Sequence, residues 1–233
     1  MRIMFVLFFA ALSGCVTQGK NTTQYNKNES VNIINEKTVN MPYSKVWDIL
    51  VRDLAKSFYV INNIDKESRI VNVSFNSTEP ADFVDCGRTV RTYSEGKNVE
   101  RYEYDVAGKS TFKVATPRQE HPSLYNYAVI NRDSDLEGRA NIYIAPSDSD
   151  PNKTTASVNT RYILKVRVKG ELFAKDVSGN IYPRGVIPEE SSTYTFNTNS
   201  VATKDAGHGT TITCFSKGKL ESDILNIVLE NQQ

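Results

Sequence analysis

The sequence is poor in the residues that most often build reactive centres. It has 2 His, 3 Cys and one Trp among 233 residues, which leaves little room for most zinc sites or for a thiol redox pair. No Gly-x-Ser-x-Gly elbow of a serine hydrolase occurs. No apolar run reaches the roughly 18 residues that a membrane-spanning helix requires. Excess charge is missing too: 28 Lys+Arg stand against 27 Asp+Glu, and the surplus is Arg2. A balanced chain of this kind has no global attraction for nucleic acid, and none is expected as a partner. A hydrophobic content of 39%, with 12 Tyr and 10 Phe, is too high for a disordered chain and too low for a polytopic membrane protein. No cofactor, metal or enzymatic activity is expected.

The strongest positive signal lies at the start, MRIMFVLFFAALSGC. Arg2 precedes an apolar run from Ile3 to Leu12. As a helix that run would be only about 15 Å long, half the hydrocarbon thickness. It therefore has the length of a signal-peptide core rather than of an anchor. Small residues follow at once in Leu12-Ser13-Gly14-Cys15. This tetrapeptide resembles the lipobox of bacterial lipoproteins. The resemblance implies removal of residues 1–14, lipid on the Cys15 thiol and new amine, and attachment to a membrane. Several acyl chains give a stable anchor, since each buried CH₂ contributes about 0.8 kcal/mol. Val16 in place of Asp favours the outer membrane, with the folded part facing the periplasm.

Residues 16–30, VTQGKNTTQYNKNES, have almost no aliphatic content and are expected to form, with Cys15, a flexible tether reaching roughly 20 Å. Residues 31–233 are expected to fold as a single domain. With Cys15 acylated, Cys86 and Cys214 remain. In an exported chain they are expected to form a disulfide, with two buried thiols as the alternative.

The pattern within 31–233 predicts an α+β fold. Val31–Val39 reads as a strand. Pro42 suits the first turn of a helix at about 43–57, whose apolar stripe is Val46, Trp47, Leu50, Val51 and Leu54. Strands follow at Phe58–Ile64 and Ile70–Phe75, joined by a polar turn at Asp65–Ser68. Period-two alternation marks further strands around Tyr102–Val106, Tyr125–Val129, Ile142–Ile144, Tyr162–Val168, Tyr194–Phe196 and Ile212–Cys214. Residues 147–153, 176–180, 183–190 and 205–209 read as turns. A second helix at about 218–230 carries Leu220, Ile224, Ile227 and Val228, with Ser216 as candidate N-cap.

The segment Val39–Phe75 resembles the opening unit of the lipoprotein domains in the C component of the outer-membrane β-barrel assembly machine, through Pro42, Val46, Trp47 and Asp65. It also resembles the start of helix-grip folds, in which an antiparallel sheet wraps a C-terminal helix. Those resemblances imply an antiparallel sheet packed against both helices.

Three other patterns could carry chemistry. Asp133-Ser134-Asp135-Leu136-Glu137-Gly138 looks like half a calcium loop, but Ile144 stands where a bidentate Glu is needed, so it reads as a solvated turn. Arg161, Lys165, Arg167 and Lys169 share one strand face and read as a solvated or edge-protecting face, the alternative being an acidic partner or lipid headgroups. Tyr102, Tyr104, Tyr125, Tyr127, Tyr162 and Tyr194 read as sheet residues, the alternative being the lining of an apolar pocket. Glu189-Glu190 falls in an expected loop, without the burial that separates carboxylate pKa values. The expected function is a non-enzymatic envelope lipoprotein that binds a protein partner; the alternative is a helix-grip carrier of a lipid or other apolar ligand.

Overall fold

In the computed structural model, residues 19–117, 125–176, 178–207 and 209–229 are described. The first strand, β1 (Lys20–Asn26), is followed by β2 (Glu36–Val39), α1 (Tyr43–Leu54), β3 (Val60–Asp65) and β4 (Ile70–Ser77). A short 3-10 turn leads into β5 (Val84–Asp85), β6 (Arg88–Glu95), β7 (Asn98–Asp105) and β8 (Ser110–Ala115). Two long strands come next, β9 (Tyr125–Ser147) and β10 (Asp150–Lys175), then β11 (Ile181–Asn197), β12 (Val201–Asp205), β13 (Thr211–Ser216) and α2 (Lys219–Leu229).

The spine is the antiparallel β9–β10 hairpin, in register from Ala145↔Thr155 to Tyr125↔Lys175. Its length follows from an unbroken alternation. On β9 the even-numbered residues from Ser134 to Ile144 are buried, and on β10 those from Thr154 to Val166. Each long edge carries two shorter strands end to end. Along β9 these are β4 (Leu136–Tyr143) and β8 (Tyr127–Arg132); along β10 they are β11 and β2. With β3 outside β4, this makes a seven-stranded sheet. Two three-stranded sheets, β1-β6-β7 and β12-β13-β5, flank it. All of the pairings are antiparallel, and the class is α+β.

The main core lies between the turn end of the hairpin and the two helices. Val46, Trp47, Ile49, Leu50 and Leu54 of α1 are buried there with Leu220, Ile224, Leu225 and Val228 of α2. Pro42 caps α1: its carbonyl accepts the amides of Lys45 and Val46. The helix ends at Leu54, three residues short of the expected limit. There the Ser57 amide and hydroxyl both donate to the Leu54 carbonyl, at 3.1 and 2.7 Å, and close the last turn. A second, smaller cluster around Phe112, Ala128 and Ile130 lies towards the open end of the hairpin.

Several expectations are corrected. Lys20–Asn26, read as tether, pairs residue for residue with Ser94–Arg88 of β6. Its ladder is reinforced by side chains: Asn21 exchanges two hydrogen bonds with the Ala115 backbone, at 2.7 and 2.8 Å. A strand held this way needs no aliphatic residues, which is why composition missed it. Asp133–Gly138 is the interior of β9, not a turn. Ser134, Leu136 and Gly138 face the core while the acids face outward. Pro183–Glu190 is strand as well, and Glu189 and Glu190 lie exposed in β11 rather than in a loop. Its prolines are tolerated because β11 is an edge strand, and the ladder to β10 slips at Val168/Gly170 and Leu172/Phe173 beside them. Of Val31–Val39 only Glu36–Val39 is strand. Ile33 is held instead by the Asn199 side chain, which accepts its N–H at 2.7 Å and donates to its carbonyl at 3.2 Å. Ser216 does not cap α2 directly; its hydroxyl accepts the Gly218 amide, one residue ahead of the helix, at 2.9 Å.

Candidate functional site

Cys15, the expected lipidation site, lies outside the described residues, as do His121, His208 and the side chain of Tyr125. Among the described residues no helix is long and apolar enough to cross a membrane.

Cys86 and Cys214 are joined by a disulfide with an S–S distance of 2.03 Å, across a sequence separation of 128. The register explains the pairing. Asp85 opposes Phe215 and Val84 opposes Ser216 in the β5–β13 ladder, so Cys86 and Cys214 occupy the next opposed positions. Both are buried in the main core. The Tyr25 hydroxyl reinforces the joint: it donates to the Cys86 carbonyl at 3.0 Å and accepts the Thr213 amide at 3.4 Å. Gly87 has φ of +77°, and a side chain there would run into the Asn26 carbonyl and the Tyr25 ring. The bridge, Gly87 and Tyr25 thus tie β1 and β6 to the β13 sheet at one point.

The acidic and basic patterns turn out to answer each other. Asp133 opposes Arg167, and Asp135 opposes Lys165. Arg167 donates to Asp133 at 3.1 Å and also pairs with Asp135, while Arg139 pairs with Glu137 at 2.6 Å on the same outer face. Hydrogen bonds from Arg167 hold the Asp133 carboxyl below its usual range. These exposed pairs contribute little to stability, and they engage Arg167 of the basic face with both aspartates of the acidic segment. Among the described residues no cluster of three His, Cys, Asp or Glu side chains could hold a metal.

The tyrosines do not line one pocket. Tyr162 stacks on Phe196 at 5.4 Å in the main core, Tyr127 on Phe173 at 5.4 Å towards the open end, and Tyr104 on Phe112 at 5.5 Å in the smaller cluster. Tyr162 has a further partner that sequence reasoning missed. Glu221, fully buried on α2, accepts hydrogen bonds from the hydroxyls of Tyr162 at 2.8 and 2.9 Å and Thr198 at 2.9 Å, with Ser216 at 3.4 Å. Burial, and then the Glu221 carboxylate, push the Tyr162 hydroxyl far above its usual pKa. Three hydroxyls in place of a cation satisfy the acid, and α2 is pinned to β10 and β13 through it. The sequence signal was an acid on the apolar stripe of a helix, next to Leu220.

A cleft of about 570 Å³ opens between the β1-β6-β7 sheet, the β8–β9 pair and the end of the β12–β13 hairpin. Its polar edge is formed by Asn21, Thr23 and Thr89, its apolar floor by Phe112, Val106 and Ile212, and its charge by Arg91 and Arg132. Neither arginine was singled out in the sequence, where they stand 41 positions apart in strands of different sheets. Both line the cleft because Arg91 lies over Phe112 and Arg132 over Tyr104, the two rings of one stack. The Arg91 guanidinium sits 4.7 Å from the Phe112 centroid and that of Arg132 lies 5.6 Å from the Tyr104 centroid. Arg132 donates to the carbonyls of Gly108, at 2.7 Å, and Val106, and so holds the β7–β8 turn. Burial, with the Arg91 charge acting the same way, pulls its pKa below the usual arginine value.

These features define an α+β protein with a long β9–β10 hairpin, a disulfide that joins the end of β5 to β13, and a cationic, aromatic-floored cleft. No protein-family model, no curated protein and no solved structure matches the chain.

Proposed function

We propose that the protein is a lipoprotein, attached through Cys15 to the outer membrane and facing the periplasm, which acts without catalysis by binding a protein partner of the envelope. The observation that carries this reading is the lipobox Leu12-Ser13-Gly14-Cys15 directly after a short apolar run. The buried Cys86–Cys214 bridge supports an oxidising compartment. The order helix, strand, turn, strand over α1, β3 and β4 is that of the assembly-machine lipoprotein domains to which Val39–Phe75 was likened.

The tether is shorter than its composition suggested. From Cys15 to Lys20, where β1 begins, an extended chain covers at most about 18 Å. On this reading a lipid carried by Cys15 lies within that reach of the Lys20–Ser94 end of the β1-β6-β7 sheet. That is the end of the molecule away from the helices, and it leaves the helical end facing outward into the periplasm, where a partner would dock.

We read the fold as helix-grip-like; this is supported by β13 leading directly into α2 and by the packing of α2 on β10 and α1. We do not advance the carrier function that goes with it. The space beneath α2 is filled by Tyr162, Leu164, Phe196, Ile224 and Val228.

Metabolic labelling with an alkyne palmitate analogue tests the anchor. The wild-type chain is expected to take up label and to fractionate with outer membranes, and Cys15→Ala to lose both. Equal membrane partitioning of the two would overturn the reading. Crosslinking in intact envelopes then tests the partner, with the expected result a discrete adduct through residues of α1 or α2.

A further inference from the structure

From the cleft between Arg91 and Arg132 we infer a binding site for a small organic oxyanion, a carboxylate or phosphate group carried on an apolar or aromatic body. The inference does not depend on lipid at Cys15.

It starts from a charge imbalance. Two guanidinium groups share one stacked ring pair, and neither has a carboxylate within ion-pairing distance among the described residues. Among the described residues no Asp or Glu lines the cleft. This is notable in a chain whose other arginines so often find acids, as Arg88 does with Glu103 and Asp105, and Arg167 with Asp133. Two like charges held in a partly dry site repel each other, and a bound anion relieves both that repulsion and their desolvation.

The donors are also pre-set. Arg91 gives its Nε–H to the Tyr104 hydroxyl at 2.8 Å and an Nη1–H to Thr23 at 3.1 Å. Those two bonds, and the Phe112 face beneath it, fix the plane of the guanidinium. Its remaining N–H groups have no protein acceptor among the described residues. A planar fork held rigid in this way matches an oxyanion with little loss of rotamer freedom. Hydroxyls from Thr89 and Thr210 stand on the walls, and Val168 and Ile212 continue the apolar floor. The ligand thus has an anionic head and a body that prefers aromatic contact. A cleft of about 570 Å³ is of the size that encloses a small molecule.

The test uses the full chain in a non-ionic detergent, with phenyl phosphate, benzoate, inorganic phosphate and neutral benzyl alcohol as probes in calorimetric titrations. Saturable one-to-one binding is expected for phenyl phosphate, for benzoate, or for both, and the stronger of these two names the head group. Inorganic phosphate and benzyl alcohol should each bind at least about tenfold more weakly, because each lacks half of the recognition. Arg91→Gln should weaken the stronger probe by about ten- to a hundredfold, with Arg91→Lys in between. Thr210→Glu places a carboxylate in the cleft; it should abolish binding without loss of fold, and it serves should Arg91→Gln fail to fold. No saturable binding of either aromatic anion up to about 10 mM, or unchanged binding in Arg91→Gln or in Thr210→Glu, overturns the proposal.

Discussion

Gly138 shows how far a single side chain, or its absence, shapes this fold. A Cβ at that position would lie 1.9 Å from the Phe75 ring, which belongs to β4 and packs against Phe83 at 5.0 Å and Tyr59 at 6.5 Å. The backbone of β9 therefore serves as the wall for an aromatic ring on the neighbouring strand. Gly138→Ala is expected to destabilise the protein by about 1–3 kcal/mol, the range for overpacking a tight core. The shift in the urea midpoint at constant slope measures it, and an unchanged midpoint would show that Phe75 moves aside freely. Glu221 makes the complementary point: an acid can sit in a core without a cation when three hydroxyls aim at it, and no local sequence rule announces that meeting. Arg91 and Arg132 are of the same kind. Their sequence neighbourhoods are ordinary strands, and only the crossing of two sheets makes them a pair.

Among the elements, β1 departs furthest from its sequence character. Its residues are polar and mostly exposed, which is what a tether looks like. It is a strand because β6 presents an open edge and because Asn21, Thr23 and Tyr25 each find a partner outside β1. In hydrogen exchange followed by mass spectrometry, amides of Lys20–Asn26 are expected to exchange more slowly than those of Lys27–Asn32. Equal, fast exchange would restore the tether. The strands of the β9–β10 hairpin are the opposite case. Their alternation was legible around Tyr162–Val168 and Ile142–Ile144, but acids and turn-forming residues in Asp133–Gly138 hid its continuation. Alternation decided the outcome because every inward position there is small or apolar, and the acids all fall on the outer face beside Arg167 and Arg139. In β11 the misleading signal was proline, which a central strand forbids and an edge strand accepts. The helices were read most accurately, since an apolar stripe at helical spacing needs no knowledge of its partner.

Across the whole molecule, the disulfide connects segments that the chain keeps 128 residues apart. It joins the strand before the β6–β7 hairpin to the strand before α2, and Tyr25 brings the N-terminal strand to the same point. Reduction under mild denaturant, or the Cys86→Ser/Cys214→Ser pair, is expected to lower stability by up to about 5 kcal/mol on the chain-entropy account. Paired denaturation curves of the oxidised and reduced protein measure it, and coincident curves would mean that the surrounding core holds the strands together unaided. Loosening this joint should reach the cleft as well, since Tyr25, which donates to the Cys86 carbonyl, and its ladder partner Thr89 both line the cleft.

Sequence alone determined the class of the fold, the two helices with most of their buried faces, several of the strands and the two cysteines that pair. Each of these is written in residues close together in the chain, as a spacing or a short motif. The tertiary structure decided that a polar segment is a strand, that Arg167 meets the aspartates of β9, that Glu221 lies satisfied in the core, and that two arginines from different sheets face one cleft. Those outcomes depend on which distant edge is open, which ring needs room and which charge finds a counter-charge. Such facts come into being only when residues far apart in the chain are brought to within a few ångströms.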